Sequence, residues 1–260
     1  MNILDKIVAQ KKLEVIARKR IKSIDALSAE PFFTRGTYSV TDFLNDPNRT
    51  GIIAEFKRKS PSKGVINGTA DVVHVTGAYA QHASAVSVLT DQDFFGGEPA
   101  DLMAARVHAI PILRKDFMID PYQVYEAKAM GADLILLIAA CLSKVEVQSL
   151  AILAKSLGME VLLEIHDDSE LEHICEEVDL VGVNNRNLKN FEVSIQTSLN
   201  LINKIPSNKL AIAESGISDV NTIVTLRNAG FKGFLIGENF MKEADPSIAF
   251  ADFVNQLKAK

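Results

Sequence analysis

From residue 51 onward the chain alternates between short apolar runs and longer segments whose apolar residues recur at helical spacing. The apolar runs predict strands at Gly51–Lys57, Ala85–Thr90, Pro111–Lys115, Asp133–Ala139, Glu160–His166, Leu180–Asn184, Lys209–Glu214 and Gly233–Gly237. The segments between them carry helix punctuation. Ser143 and Glu146 form a capping box, and Leu157-Gly158 closes that helix. Asp120-Pro121 opens another, ended by Met130-Gly131, and Ser218 opens a third that stops at Ala229-Gly230. Runs such as Leu134-Ile135-Leu136-Leu137-Ile138 are apolar without alternation, as in a parallel sheet buried on both faces. Eight strand–helix units of this kind predict an α/β fold, a single (β/α)8 TIM barrel over residues 1–260. A doubly wound open sheet is the other arrangement the alternation allows.

Residues 1–50 precede the first strand and are read as a helical N-terminal extension. Leu4, Ile7, Val8, Leu13, Val15 and Ile16 predict an imperfectly amphipathic helix, made basic by Lys11, Lys12, Arg18, Lys19, Arg20 and Lys22. We expect it to pack on the barrel with the basic residues on a solvated outer face. A basic arm for nucleic acid or membrane is the alternative.

Composition narrows the function classes. A length of 260 residues suits one such barrel, and 47% hydrophobic with 23% charged residues is ordinary for a globular protein. The net charge of -5 gives no support for a nucleic-acid partner. The longest apolar run, Leu134 to Leu142, is too short to span a bilayer, and no secretory signal is expected at the N-terminus. Cys141 and Cys175 belong to no CxxC pair and are expected as buried, reduced thiols of a cytoplasmic protein. The histidines show no metal-ligand spacing; His74 and His82 fall on one predicted helix. No metal and no cofactor are expected.

The chemistry concentrates at the strand ends, where this fold places its sites. The first strand ends in Glu55, Lys57 and Lys59, and the second runs into Asp91 and Phe94-Phe95-Gly96-Gly97. The third ends in Arg114-Lys115-Asp116-Phe117, the fifth in Glu164-Ile165-His166 and the sixth in Asn184-Asn185-Arg186. The seventh ends in Glu214-Ser215-Gly216 and the eighth in Gly237-Glu238. Period-two alternation puts Glu55 and Lys57 on the face of Ile53, Lys115 on that of Leu113, and Glu164 on that of Leu162. Two lysines, three glutamates and Asn184 therefore converge at one rim. Neighbouring ammonium groups and partial burial are expected to lower a lysine's pKa and make it a useful acid–base group. Ser215-Gly216 and Gly237-Glu238 follow strands seven and eight, the usual phosphate position of this fold. There the Glu238 N–H is expected to face the anion and its carboxylate to point away.

Taken together, Ala54-Glu55-Phe56-Lys57-Arg58-Lys59-Ser60-Pro61-Ser62, Ile112-Leu113-Arg114-Lys115-Asp116-Phe117, Leu163-Glu164-Ile165-His166, Gly182-Val183-Asn184-Asn185-Arg186-Asn187-Leu188 and Ala213-Glu214-Ser215-Gly216-Ile217 resemble the indole-3-glycerol phosphate synthase family of tryptophan biosynthesis. The first and fourth segments are specific together, whereas Glu-Ser-Gly is shared by sibling phosphate barrels. The resemblance covers essentially the whole chain, and no fused isomerase domain is expected after the last helix. It implies ring closure, decarboxylation and dehydration of 1-(2-carboxyphenylamino)-1-deoxyribulose 5-phosphate, without cofactor or metal. It implies Lys115 as the acid at the C2 carbonyl oxygen and Glu164 as the base near the amine nitrogen. Lys57 would hold the carboxylate or protonate the departing hydroxyl, and Glu55 would orient the lysines. Asn184 and Glu214 would meet hydroxyl groups. Ser215, Gly216, Gly237 and Glu238 would hold the phosphate, helped by Lys59 and Ser60. Phe95 and Phe117 would line the aryl pocket, and Arg186 would contact substrate or support a residue that does. The competing readings are an isomerase, epimerase or Schiff-base aldolase on the same barrel, or a non-catalytic scaffold. The expected partner is a phosphorylated small molecule, neither nucleic acid nor membrane, with the chain a monomer or weak homo-oligomer that allows transient contact with other tryptophan-pathway enzymes.

Overall fold

Strands buried on both faces must close on themselves or be covered on both sides, and here they close. The computed structural model describes residues 3–188 and 191–260. Its barrel strands are β1 Ile52–Phe56, β2 Ala85–Leu89, β3 Ile112–Lys115, β4 Leu134–Ile138, β5 Glu160–Ile165, β6 Leu180–Asn184, β7 Leu210–Glu214 and β8 Gly233–Ile236. All neighbours are parallel, and β1 pairs with both β2 and β8, so the sheet has no edge. The open-sheet alternative is thereby excluded. Every predicted strand is present within a residue or two of its expected ends.

The two faces of the strands build two cores. Ile53, Leu113, Leu134, Leu136, Leu162, Leu180, Ile212 and Leu235 fill the interior. Ile52, Ala54, Val86, Val88, Ile135, Leu137, Val161, Leu163 and Val181 pack outward against the helices. The strands therefore read as continuous apolar runs because both sets are buried.

The helix ends follow the local chemistry. Asp120 caps Pro121–Met130 through the N–H of Tyr122, and Gly131 ends it at φ 89°. Ser143 and Glu146 make the reciprocal box of Lys144–Ser156. The third helix begins one residue later than expected. Asp219, not Ser218, accepts from the N–H groups of Asn221 and Thr222 at the start of Val220–Ala229, which leaves Ser218 on a cavity wall.

Residues before β1 serve both ends of the barrel. Val40 and Leu44, on the short helix Val40–Asn45, join the interior core at the N-terminal mouth. Glu160, first residue of β5, accepts from Val40 N at 2.6 Å and from Ser39 Oγ at 2.8 Å. The helix Ile3–Ile21 buries Ile7, Lys11 and Val15, with Val15 packed near Leu27, Tyr122 and Ala129. This corrects the expected face: Leu13 and Ile16 are 64% and 49% exposed, whereas Lys11 is 0% exposed. A fully buried lysine excludes a uniformly solvated basic face. Cys141 and Cys175 are free and half-buried. Among the described residues, no helix is long and apolar enough to cross a membrane.

Candidate active site

A cavity of about 520 Å³ opens at the C-terminal ends of the strands. Strand register brings the rim residues together. Glu55 lies beside Ser87, Lys115 beside Leu89, Glu164 beside Gly182 and Asn184 beside Glu214. Gly182 has a steric reason to be glycine. A Cβ there would stand 2.1 Å from Glu214 Oε1, so its absence lets Glu214 lean across the barrel.

Lys115 occupies the centre. Its Nζ is 3.7 Å from Glu164 Oε2, 3.8 Å from Glu214 Oε2 and 3.9 Å from Glu55 Oε2. These are ion-pair distances longer than hydrogen bonds, and they leave the ammonium able to donate to a ligand. Lys57 donates to Glu55 Oε1 at 2.6 Å, and Ser87 Oγ reaches the other oxygen at 3.5 Å. Asn184 Nδ2 donates to Glu164 Oε1 at 3.1 Å, while its Oδ1 accepts from Arg186 N at 3.0 Å.

The electrostatics depart from the sequence expectation at Lys115. Burial alone would lower its pKa, but Glu164, Glu55 and Glu214 outweigh burial and raise it. The lysine is a firmly charged donor, opposite in direction to the neutralised lysine anticipated from its ammonium neighbours. The carboxylates then divide into two states. Burial disfavours the Glu55 anion, but Lys57 and Lys115 hold its pKa below the usual value. Burial likewise disfavours the Glu164 anion, yet Lys115, His166 and Asn184 bring it down to about 2. Glu214 goes the other way: burial, then the charge of Glu164, pushes it up to about 8. Glu214 is thus the carboxyl that keeps its proton at neutral pH.

His166 was legible in its motif but had no assigned role. Its Nε2 is 3.2 Å from Glu164 Oε1 and its Nδ1 is 3.2 Å from Glu170 Oε2. Burial would lower its pKa, but the bonds to Glu164 and Glu170 raise it to about 10. An imidazolium therefore stands behind Glu164.

The cavity has two unlike ends. At one, Phe95 and Phe117 lie with ring centroids 6.0 Å apart, beside Leu136 and Ile138. Ile3, Leu4 and Ile7 of the N-terminal helix line this cavity too, a contribution the helical reading missed. At the other, Ser215 and Gly216 sit at φ 66° and 73°, consecutive left-handed residues that turn the chain after β7. A Cβ on Gly216 would approach Val193 Cγ1 to 2.4 Å, so the β6 loop closes directly on this turn. Ser60, Lys63, Arg186, Gly237, Glu238 and Lys242 complete this end.

Three expected placements change. Lys59 is not on the cavity wall; its Nζ donates to Asp93 O at 2.8 Å, because the short hairpin Lys59–Ser60 with Gly64–Val65 turns it outward. The nearby cations are instead Lys63 and Lys242. Lys63 follows Ser60-Pro61-Ser62 directly and was discoverable by extending that segment. The Glu238 carboxylate does not simply point away, since it lies 3.8 Å from Arg186 Nη2 and 3.9 Å from Lys63 Nζ. Gly237 also has a cause besides an anion: a Cβ there would meet Glu55 Oε1 at 2.7 Å. The remaining expected residues, Glu55, Lys57, Ser60, Phe95, Lys115, Phe117, Glu164, Asn184, Arg186, Glu214, Ser215, Gly216, Gly237 and Glu238, all line the cavity.

Comparisons with known proteins identify the family. A family model described as indole-3-glycerol phosphate synthase matches residues 4–253. A protein of that name from Bacteroides thetaiotaomicron is 44% identical over 259 residues, covering 99% of both chains. Another from a Polaromonas species is 44% identical over 256 residues, covering 96% of this chain and 97% of its own. Among solved structures, the tryptophan synthase A-subunit of Pyrococcus furiosus superposes with a TM-score of 0.61 at 16% identity, over 82% of this chain and 99% of its own. The 3-hexulose-6-phosphate synthase of Salmonella typhimurium gives 0.63 at 14%, over 80% and 98%. These structural likenesses bear on the fold alone.

Proposed function

The chain belongs to the indole-3-glycerol phosphate synthase family, and from that premise we propose how its residues divide the work. The reaction is the conversion of 1-(2-carboxyphenylamino)-1-deoxyribulose 5-phosphate to indole-3-glycerol phosphate, with loss of CO2 and water. The observation that carries the assignment is one ammonium, Lys115, held among three carboxyls between an aromatic end and a cation-rich end.

The substrate lies with its carboxyphenyl ring against Phe95 and Phe117 and its phosphate against Ser215, Gly216, Gly237 and Glu238. Ser60, Lys63, Arg186 and Lys242 supply the surrounding donors. When the aryl carbon attacks C2, negative charge grows on the carbonyl oxygen. Lys115 donates its proton there; its raised pKa keeps that proton in place until the charge develops. Loss of CO2 restores aromaticity. Lys57, fixed by Glu55, holds the carboxylate before that step and serves the departing hydroxyl after it. Glu164, kept ionised by Lys115 and His166, faces the amine nitrogen as positive charge builds there and takes the proton that dehydration releases. Asn184 orients Glu164, and neutral Glu214 donates to a substrate hydroxyl. A Schiff-base mechanism requires a neutral lysine amine, which this charge-rich setting opposes.

We read residues 1–260 as one barrel unit with 1–50 as its extension, acting in the cytoplasm as a monomer or weak homo-oligomer that allows transient contact with other pathway enzymes. The test of the catalytic assignment is indole fluorescence on adding the substrate, against a protein without tryptophan. Wild type produces indole emission; Lys115→Ala loses roughly 10²-fold or more in kcat, the scale of general acid–base catalysis. Near-normal turnover by Lys115→Ala removes Lys115 from the acid's role.

A further inference from the structure

A lysine with no exposure needs a reason to be charged and buried. Lys11 lies on the helix Ile3–Ile21, outside the cavity wall, yet its Nζ bridges two loops that build that wall. It is 2.8 Å from Asp91 Oδ2, 3.0 Å from Asp116 Oδ1 and 2.8 Å from Glu14 Oε2. Asp91 uses its other oxygen to accept from Phe94 N at 2.8 Å and Phe95 N at 3.2 Å, capping the single turn Gln92–Phe95. Asp116 Oδ1 accepts from Phe117 N at 2.8 Å, and its Oδ2 accepts from Thr90 Oγ1 at 2.7 Å and Arg114 Nη2 at 3.0 Å. One ammonium thus joins the two carboxylates that set the backbones carrying Phe95 and Phe117. One turn earlier on the same helix, Ile7 lines the cavity, with Leu4 and Ile3 beyond it.

We propose that Lys11 is a specificity-determining positioning residue: by tying Asp91 to Asp116 it fixes the Phe95–Phe117 pair and the Ile3–Ile7 cover around the substrate's aryl ring. The proposal rests on the assignment of that end of the cavity to the carboxyphenyl group. Lys11 does not touch substrate. It turns the N-terminal helix into part of the aryl subsite, while the phosphate end is built from other elements. Removing its charge sets two buried carboxylates against each other and lets the two loops separate. The consequence is confined to one end of the ligand.

The test compares wild type, Lys11→Met and Lys11→Met/Asp91→Asn. The double variant removes one charge of each sign and keeps an Oδ1 that caps Phe94 and Phe95. Two probes divide the cavity: 2-aminobenzoate, followed by its own fluorescence, reports the aryl end, and inorganic phosphate, read as a competitive inhibitor or by calorimetry, reports the other. Lys11→Met is expected to weaken 2-aminobenzoate and raise KM by about tenfold, with phosphate affinity and kcat changed less than about threefold. The double variant is expected to recover most of the loss. Equal weakening of both probes, or of neither, overturns the proposal. If Lys11→Met does not fold, Asp91→Asn alone is expected to give the same aryl-only loss at smaller size, and a uniform loss overturns it. Absence of turnover by wild type defeats the functional reading, whereas the two-probe binding result still decides the role of Lys11.

Discussion

Replacing Glu214 with Gln tests whether the site stores an uncomfortable proton. Glutamine is the neutral isostere of a carboxylic acid, so Glu214→Gln imitates the state assigned to Glu214 at neutral pH. The wild-type carboxyl has an ordinary value of 4.5 when unfolded and about 8 when folded. Its pKa is raised, so its contribution to stability is full below pH 4.5 and is lost as pH rises towards and through 8. Each unit of pH in that window costs the folded protein about 1.4 kcal/mol if nothing relaxes. Glutamine has no such slope. The stability of Glu214→Gln relative to wild type is therefore expected to increase between pH 5 and pH 7. The ceiling is roughly 3 kcal/mol, and about 1 kcal/mol is expected if Glu164 and Lys115 readjust. Urea unfolding of both proteins at the two pH values measures the difference, with the slope m checked for constancy. A pH-independent difference, or one that shrinks as pH rises, refutes the assigned protonation state. In the same samples kcat is expected to change by less than about tenfold, because an amide N–H can still donate to the hydroxyl that neutral Glu214 serves.

Two further substitutions probe the supports of the site. His166→Gln removes a cation 3.2 Å from Glu164, so the Glu164 pKa is expected to rise and the acid limb of kcat/KM to move to higher pH; an unmoved limb would mean that His166 does not hold Glu164 ionised. Gly182→Ala places a methyl 2.1 Å from Glu214 Oε1 and 3.2 Å from Leu162 Cδ1. Overpacking of that kind costs about 1–3 kcal/mol, so we expect a lower unfolding midpoint and a kcat drop of at least about tenfold with phosphate affinity retained. Unchanged kcat would show that Glu214 has room to move without consequence.

The barrel was legible because its strands are buried on both sides, which removes alternation and leaves continuous runs such as Leu134–Ile138. Alternation at the strand ends then sufficed to aim Glu55, Lys115 and Glu164 inward. What it could not supply was distance. Three glutamates were read at the rim with the lysines, but their approach to within 3.7–3.9 Å of Lys115 was not legible, so the direction of its pKa was misread. The N-terminal helix was misread for a related reason. Hydrophobic spacing favoured Leu13 and Ile16, but an ion pair to Asp91 and Asp116 draws Lys11 inside, and those partners lie on loops remote in sequence. Lys59 was assigned to the phosphate through the family resemblance, and the hairpin that follows β1, which turns it outward, has no alternation signal to reveal it. The one-residue error at Ser218 reflects two adjacent capping residues, of which only Asp219 has its oxygen on the helix N–H groups.

The residues before β1 touch both mouths of the barrel. Ile3, Leu4 and Ile7 stand over the C-terminal opening, while Val40 and Leu44 stopper the opposite one. Between them the chain is pinned to the outer wall by Tyr122, whose hydroxyl donates to Lys22 O, by Lys128, which donates to Arg35 O, and by Arg35, paired with Asp133. The connector is thus a strap fastened at top and bottom and taken up between them by the turns of residues 29–35. An inserted residue can bulge into solvent without disturbing either end. A deleted one must be met by unwinding those turns, or else by pulling the stopper from the floor or the cover from the doorway.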